Sequence, residues 1–256
     1  MTRALLAAVL AALALPLHAV ELRVLSAGAV EPGIKPALAA FERTSGHTVA
    51  ISFAAAPALQ AALRAAPAAD VIVIPQGVLD EFAAAGASVA GPRAPIGKVG
   101  VGVAVRSGVA PPDITSAETL KAALISAEVV VFNRASTGVY VEQMLQRLGV
   151  ADAVRAKSER LPDGASVMRR LLAGTSAREF GFGAMTEIAL FRDQGLRLVG
   201  PLPPRLQHTT IYVAVPWPGV VPTDAPRADA IAALMHYLQG SESRSQFANA
   251  GIEPTH

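Results

Sequence analysis

The sequence predicts an α/β fold of two lobes, each a mostly parallel sheet flanked by helices, with a ligand cleft between them. Three observations predict it. Short apolar runs alternate with segments of helical period, the alternation restarts near Val99, and a strand-like run, Ile211-Tyr212-Val213-Ala214-Val215, returns late in the chain. Alternation with short loops is the pattern of parallel strands covered on both faces by their connecting helices. The late return ties the two halves together by crossing segments, at residues 95–99 and 208–214, and leaves a cleft where strand ends meet helix starts. One lobe then comprises residues 20–97 and 213–256, and the other residues 98–212.

The elements follow in order. Leu22, Val24 and Leu25 form the first strand run, Ser26-Ala27-Gly28-Ala29 a small-residue turn, and Glu31-Pro32-Gly33 the opening of a helix with Ile34, Leu38 and Phe41 on one face. Val49-Ala50-Ile51-Ser52-Phe53 reads as a second strand, with a helix face at Leu59, Ala62, Leu63 and Ala66 behind it. Val71-Ile72-Val73-Ile74 is a buried strand, and Val78, Leu79 and Phe82 mark a helix that stops at Gly86. In the second half, strands are expected at residues 99–105, 129–132 and 180–182. Helices are expected around Tyr140, Met144, Leu145 and Leu148, at residues 167–172, and from Thr186. Gly200-Pro201-Leu202-Pro203-Pro204 reads as a stiff connector, and two helices close the chain, carrying Ile231, Leu234, Met235 and Leu238, then Phe247.

Ahead of these elements, Arg3, the apolar run of residues 4–17 and the site Leu17-His18-Ala19 have the form of a secretion signal cleaved after Ala19. A periplasmic location follows from that form. The run is shorter than the ~20 apolar residues a membrane span needs, and no membrane insertion is expected. The chain has no cysteine, so neither a disulfide nor a lipid-modified cysteine is available. A formal net charge of +2, with arginines scattered and not interleaved with aromatics, argues against nucleic acid and suits a small anionic ligand. No metal-spaced cluster, phosphate loop or G-x-S-x-G elbow occurs, so no cofactor or metal is expected, and the protein is expected to be a monomer.

The candidate site starts at the first turn. A strand–turn–helix aims bare backbone N–H groups and the positive end of the helix dipole into the cleft above it, here from Ser26, Ala27, Gly28 and Ala29. Arg134 stands one residue past a strand end, where a guanidinium makes a bidentate contact to a carboxylate or is simply a surface arginine. Ser136 and Thr137 open the next helix, serving both as caps and as anion contacts. Tyr140, one turn on, is core or ligand. Ser166, behind Pro162-Asp163-Gly164, is again cap and contact, and of Arg169 and Arg170 at most one can face the cleft. Glu31 is either a dipole-favoured cap or a proton-transfer group. His208 is expected on the cleft floor, His47 in an exposed loop, and Asp70 as a structural acceptor.

Taken together, Val24-Leu25-Ser26-Ala27-Gly28-Ala29-Val30, Phe41-Glu42-Arg43-Thr44-Ser45-Gly46, Ala69-Asp70-Val71-Ile72-Val73 and Ser136-Thr137-Gly138-Val139-Tyr140 resemble the periplasmic molybdate-binding proteins. These are two-lobed, type II solute-binding proteins of ABC importers. Ser241, Gln246, Phe247 and Gly251-Ile252 match a C-terminal signature of the same family. The resemblance spans nearly all of the chain after the signal, and it implies an ABC permease as partner.

The ligand positions implied by the resemblance depart from the family's pattern. The family's first serine falls at Ala29, its second at Ala55 or Ala56, and its tyrosine near Gly183 or Ala184. The two N–H loops correspond to Ser136-Thr137-Gly138 and Gly164-Ala165-Ser166. Three lost hydrogen bonds to a dianion, at ~1.5–3 kcal/mol each, predict that tight molybdate or tungstate binding is gone. Methyl groups in their place predict a larger ligand with an apolar portion. The expected function is capture of a small anion, an organic polycarboxylate, for an ABC importer. The alternative, since the family also includes aconitate isomerases, is allylic proton transfer on such an acid, with Glu31, His208 or Tyr140 as candidate base.

Overall fold

The computed structural model describes residues 19–65, 69–86, 91–217 and 224–255. The segment expected to be a secretion signal, as far as His18, and the helix-face position Ala66 lie outside the described residues, as do the side chains of Ala56 and Leu63. The described part of the first half runs β1 (Glu21–Ala27), α1 (Glu31–Ser45), β2 (Thr48–Ala54), α2 (Ala56–Arg64), β3 (Val71–Pro75) and α3 (Gln76–Ala84). The long strand β4 (Ala94–Arg106) leads into α4 (Ala117–Ser126), β5 (Val129–Asn133), α5 (Ser136–Arg147), α6 (Ala151–Arg155), β6 (Ser158–Leu161), α7 (Gly164–Ala173) and β7 (Glu179–Ala184). Then come α8 (Met185–Leu190), β8 (Leu196–Pro201), β9 (Thr209–Pro216), α9 (Ala225–Leu238) and α10 (Ser241–Asn249).

The local reasons are those of the sequence. Pro32 sits in the first turn of α1, where its missing N–H is harmless, and Gly46 ends the helix in the left-handed conformation (φ 73°). β3 is buried at every position, as a central strand covered on both faces should be. A capping box between Ser116 and Thr119 starts α4, which the sequence reading passed over along with α6, β6 and β8. Gly200 and Pro201, read as part of a connector, close β8 instead. An edge strand tolerates that proline because its N–H is not needed in the ladder.

The strands run in the order β2-β1-β3-β9-β4-β7-β5-β6, with β8 also on β4. Outer strands of each half pair in parallel: β1 with β2 and β3, and β5 with β6 and β7. Antiparallel pairs come in the middle, where β9 joins β3 to β4 and β4 joins β7. The mixture arises because β4 and β9 cross between the lobes without an intervening helix to reverse the chain. β4 serves both sheets, its Ala94–Gly100 end pairing with β9 and its Val101–Arg106 end with β7 and β8.

Each lobe's sheet is covered on both faces. One apolar cluster joins Val24, Ile34, Phe41, Leu234 and Phe247, and Ile72, Ile74 and Leu79 form its opposite. In the second lobe Val103, Phe132, Val141 and Met144 lie on one face, and Val131, Val167 and Leu171 on the other. Asp70, 2 % exposed, ties this frame together by accepting the Arg23 backbone N–H at 2.7 Å and the Arg227 guanidinium at 2.8 Å. It is the structural acceptor its position suggested. His47 is half-buried rather than exposed, accepting the Val20 N–H and facing the Phe41 ring. No described helix is long and apolar enough to cross a membrane.

Candidate ligand-binding cleft

Three helix entrances converge on a cavity of about 480 Å³ between the lobes. From the first lobe comes the turn Gly28–Val30, which runs into α1. The second lobe supplies the starts of α5 and α7. At α5 the side chain of Asn133 accepts the N–H groups of Ala135 (3.0 Å) and Gly138 (2.9 Å). The N–H groups of Ser136 and Thr137 are first-turn donors, which an α-helix leaves without an internal acceptor. At α7 Asp163 accepts the Ser166 N–H at 2.6 Å, and the first-turn N–H groups of Gly164 and Ala165 belong to residues lining the cavity. Gly138 is required at its position, because a Cβ there would lie 1.7 Å from the Asn133 carbonyl oxygen.

Ala27, Gly28, Ala29, Glu31, Ala55, Ser136 and Thr137 all line this cavity. The other predicted contacts lie elsewhere. Ser26 is fully buried and shares the inward face of β1 with Leu22 and Val24, since alternate residues of a strand point the same way. The side chain of Ser166 does not line the cavity. It accepts from Arg169, while its own N–H is taken up in the helix cap. Arg134, Tyr140 and His208 border an adjoining cavity of about 710 Å³, which shares only Pro75, Ala135 and Ser136 with the first. There the Tyr140 hydroxyl donates to the Leu206 carbonyl and accepts from Arg147, and its ring stacks on His208 at 4.4 Å. Burial, followed by the Arg147 charge, pushes His208 below the usual imidazole range. Ala56 has no described side chain.

Of the two arginines on α7, Arg169 reaches the cavity rim. Arg170 turns away to the carboxylates of Glu159 and Glu179. Gly183 and Ala184, where the family's tyrosine was aligned, are buried in β7, and neither lines the cavity. A phenol arrives from another strand, Tyr212 on β9. Burial, and then the Glu187 charge, hold that phenol well above its ordinary range, while Ser136 and Thr210 act in the opposite sense through hydrogen bonds.

Glu187, on α8, is the group that sequence reasoning missed. Its carboxylate lies between the two lobes' entrances: a Cβ built on Gly28 would stand 3.0 Å from one oxygen, and one built on Gly164 2.0 Å from the other. Glycine at both positions leaves room for it. Burial in the cleft wall, followed by the Asp163 carboxylate and with a smaller push from Glu31, raises Glu187 to about 7; a hydrogen bond at the Ala184 backbone works against them. Among the described residues it forms no ion pair. Its neighbour Thr186 donates to the Ala29 carbonyl, which pins α8 to the first-lobe turn. The signal that could have found it is an acid in the first turn of a short helix, directly behind the glycine-punctuated strand Phe180-Gly181-Phe182-Gly183.

The chain is similar to proteins of this architecture over nearly its whole length. It is 28 % identical over 241 residues to an aconitate isomerase from Pseudomonas sp., covering 91 % of this chain and 87 % of that one. The periplasmic molybdate-binding protein of Azotobacter vinelandii superposes with a TM-score of 0.71 at 17 % identity, over 92 % of this chain and all of the other. The sulfate-binding protein SubI from Mycobacterium tuberculosis gives 0.67 at 15 % identity, over 92 % and 87 % of the two chains. At such identities the superpositions establish the fold alone. A sequence profile of bacterial extracellular solute-binding proteins matches residues 22–253, and the chain belongs to that family.

Proposed function

We propose that this protein captures a small organic polycarboxylate in the inter-lobe cavity, in the periplasm, and delivers it to an ABC importer. On this reading residues 20–97 and 213–256 close on residues 98–212 around the ligand. The observation that carries it is the convergence of three helix entrances on one cavity whose first-lobe wall includes Phe53, Ala54 and Ala55 beside Ala27, Gly28, Ala29, Glu31 and Pro75. Backbone N–H groups and helix dipoles provide for several separate negative charges. Its volume falls within the roughly 300–1,000 Å³ of small-molecule sites, and the alanines favour carbon over oxyanion oxygen.

A thermal-shift series on the secreted form tests this, with trans-aconitate, cis-aconitate, citrate, sulfate, molybdate and tungstate as ligands. A ligand at 100 times its Kd adds about 2.7 kcal/mol, which raises Tm by roughly 5–10 °C for a chain of this size. The polycarboxylates are expected to give such shifts and the tetrahedral oxyanions none. A shift with molybdate alone would refute the argument from the missing hydroxyls.

A second reading has its own support in the similarity to an aconitate isomerase across nine-tenths of the chain. On that reading the same cavity binds the same class of acid and moves one proton along its allylic carbons. Such a reaction requires a proton-transfer group within reach of the bound carbon skeleton.

A further inference from the structure

We infer that Glu187 is the catalytic base of an allylic isomerisation in this cleft, acting on a polycarboxylate held by the entrances at Gly28, Ser136 and Gly164. The inference rests on the isomerase reading and names the group which that reading lacks. Its warrant is position: the carboxylate stands between the backbones of Gly28 and Gly164, close enough that a side chain at either would collide with it. A substrate whose carboxylates occupy those entrances has its carbon skeleton beside Glu187.

The other candidates are already engaged or lie outside this cavity. Tyr140 and His208 stack on each other in the adjoining cavity. Glu31 is paired with Lys35, and Asp163 is the cap of α7. Tyr212 is a phenol too reluctant to ionise.

The charged and titratable groups that line the cavity with Glu187 are Glu31 from α1, Asp163 from the loop before α7, Arg169 from α7 and Tyr212 from β9. Burial first, and then two of these four, the carboxylates of Asp163 and, less, Glu31, raise its proton affinity to near neutrality. Efficiency in general base catalysis is greatest when the base titrates near the working pH. A bound polyanion adds to the same effect and makes the base stronger while it is occupied.

The step balances without a co-reactant. The Glu187 carboxylate takes a proton from the methylene carbon, the C–H bond breaks, and its electron pair spreads over the allyl system and the attached carboxylate. The first-turn N–H groups at Ser136, Thr137 and Gly164 face the oxygens that gain charge. The protonated Glu187 then returns its proton to the far allylic carbon, a new C–H bond forms there, and the double bond has moved by one position. Geometry about that bond is set by the conformation in which the methylene proton leaves, because the planar allyl anion resists rotation about it.

The test uses trans-aconitate as probe, with isomerisation followed by ultraviolet absorbance and, in heavy water, deuterium entry at the allylic carbons followed by NMR. The wild-type protein is expected to isomerise and to exchange. Its kcat/KM should rise with pH through about 7, because the base works in the ionised form. Glu187→Gln is expected to lose about 10²- to 10⁴-fold in both reactions and to lose that pH dependence, while trans-aconitate still raises its Tm. Glu187→Asp, a carboxylate set back by one methylene, should fall between the two. Turnover retained in Glu187→Gln would overturn the assignment and leave the isomerase reading standing. Neither turnover nor exchange in the wild-type protein would overturn both.

Discussion

Gly138→Ala is expected to lower Tm by roughly 6–12 °C and to abolish ligand binding. The added Cβ would lie 1.7 Å from the Asn133 carbonyl oxygen, 2.5 Å from its carbon and 2.8 Å from the Asn133 side-chain oxygen. The first two are backbone atoms of buried β5, which cannot swing aside. Relief must come from the first turn of α5, and moving it breaks the bonds from Ala135 and Gly138 to Asn133. The lost Asn133 cap at ~1 kcal/mol, added to overpacking strain of ~1–3 kcal/mol, comes to about 3 kcal/mol. In a chain of this size each kcal/mol is worth roughly 2–4 °C. The same movement withdraws the Ser136 and Thr137 donors from the cavity. A thermal melt followed by circular dichroism, together with a ligand titration below the transition, checks both effects. A variant that melts within 2 °C of wild type and still binds would contradict this role for the α5 turn.

Asp70→Ala is expected to destabilise the protein by about 3–5 kcal/mol, the typical cost of removing one partner of a buried ion pair. Asp70 holds three pieces of chain: β1 through the Arg23 N–H, α9 through Arg227, and β3, which it precedes. Its loss leaves the Arg227 guanidinium, whose side chain is 23 % exposed, facing a methyl group. None of these residues lines either inter-lobe cavity. Stability and binding should therefore separate. Urea denaturation is expected to show a lower midpoint with an unchanged slope, and ligand affinity at low temperature should equal that of wild type. A midpoint unmoved by the substitution would show that Asp70 carries none of this load.

The two variants illustrate which parts of the molecule the sequence makes legible. Elements whose burial is periodic are readable, because packing and pattern agree: Ile34, Leu38 and Phe41 on α1, or the run at β3. β6 is not. Ser158-Glu159-Arg160-Leu161 has no apolar pattern, and it is a strand because β5 supplies its ladder. Similarly, the parallel order of the outer strands follows from the alternation, whereas the antiparallel centre depends on where β9 re-enters.

The site divides along the same line. Gly28, Ala29, Glu31, Ser136 and Thr137 are local signals of a turn and of helix starts, and they do line the cavity, although Asn133 rather than Ser136 or Thr137 caps α5 and no side chain caps α1. Tyr140 and Ser166 lie on the right helices but their side chains are engaged elsewhere, a matter of a fraction of a helical turn that spacing does not resolve, and Arg134, in the loop between β5 and α5, borders the adjoining cavity. Glu187 and Tyr212 owe their positions to contacts between the lobes. Thr186 reaches the Ala29 carbonyl, and Tyr212 comes in on the crossing strand β9. No window of sequence contains both sides of such a contact.

An organic polycarboxylate, and not a tetrahedral oxyanion, is proposed to fill the cleft between the lobes. Titration calorimetry of the chain from Val20 onward with trans-aconitate, and separately with molybdate, tests it most directly. Saturable binding of trans-aconitate at one site per chain, with no binding heat from molybdate, is the predicted result. Tight one-to-one binding of molybdate, with none of trans-aconitate, would contradict the account.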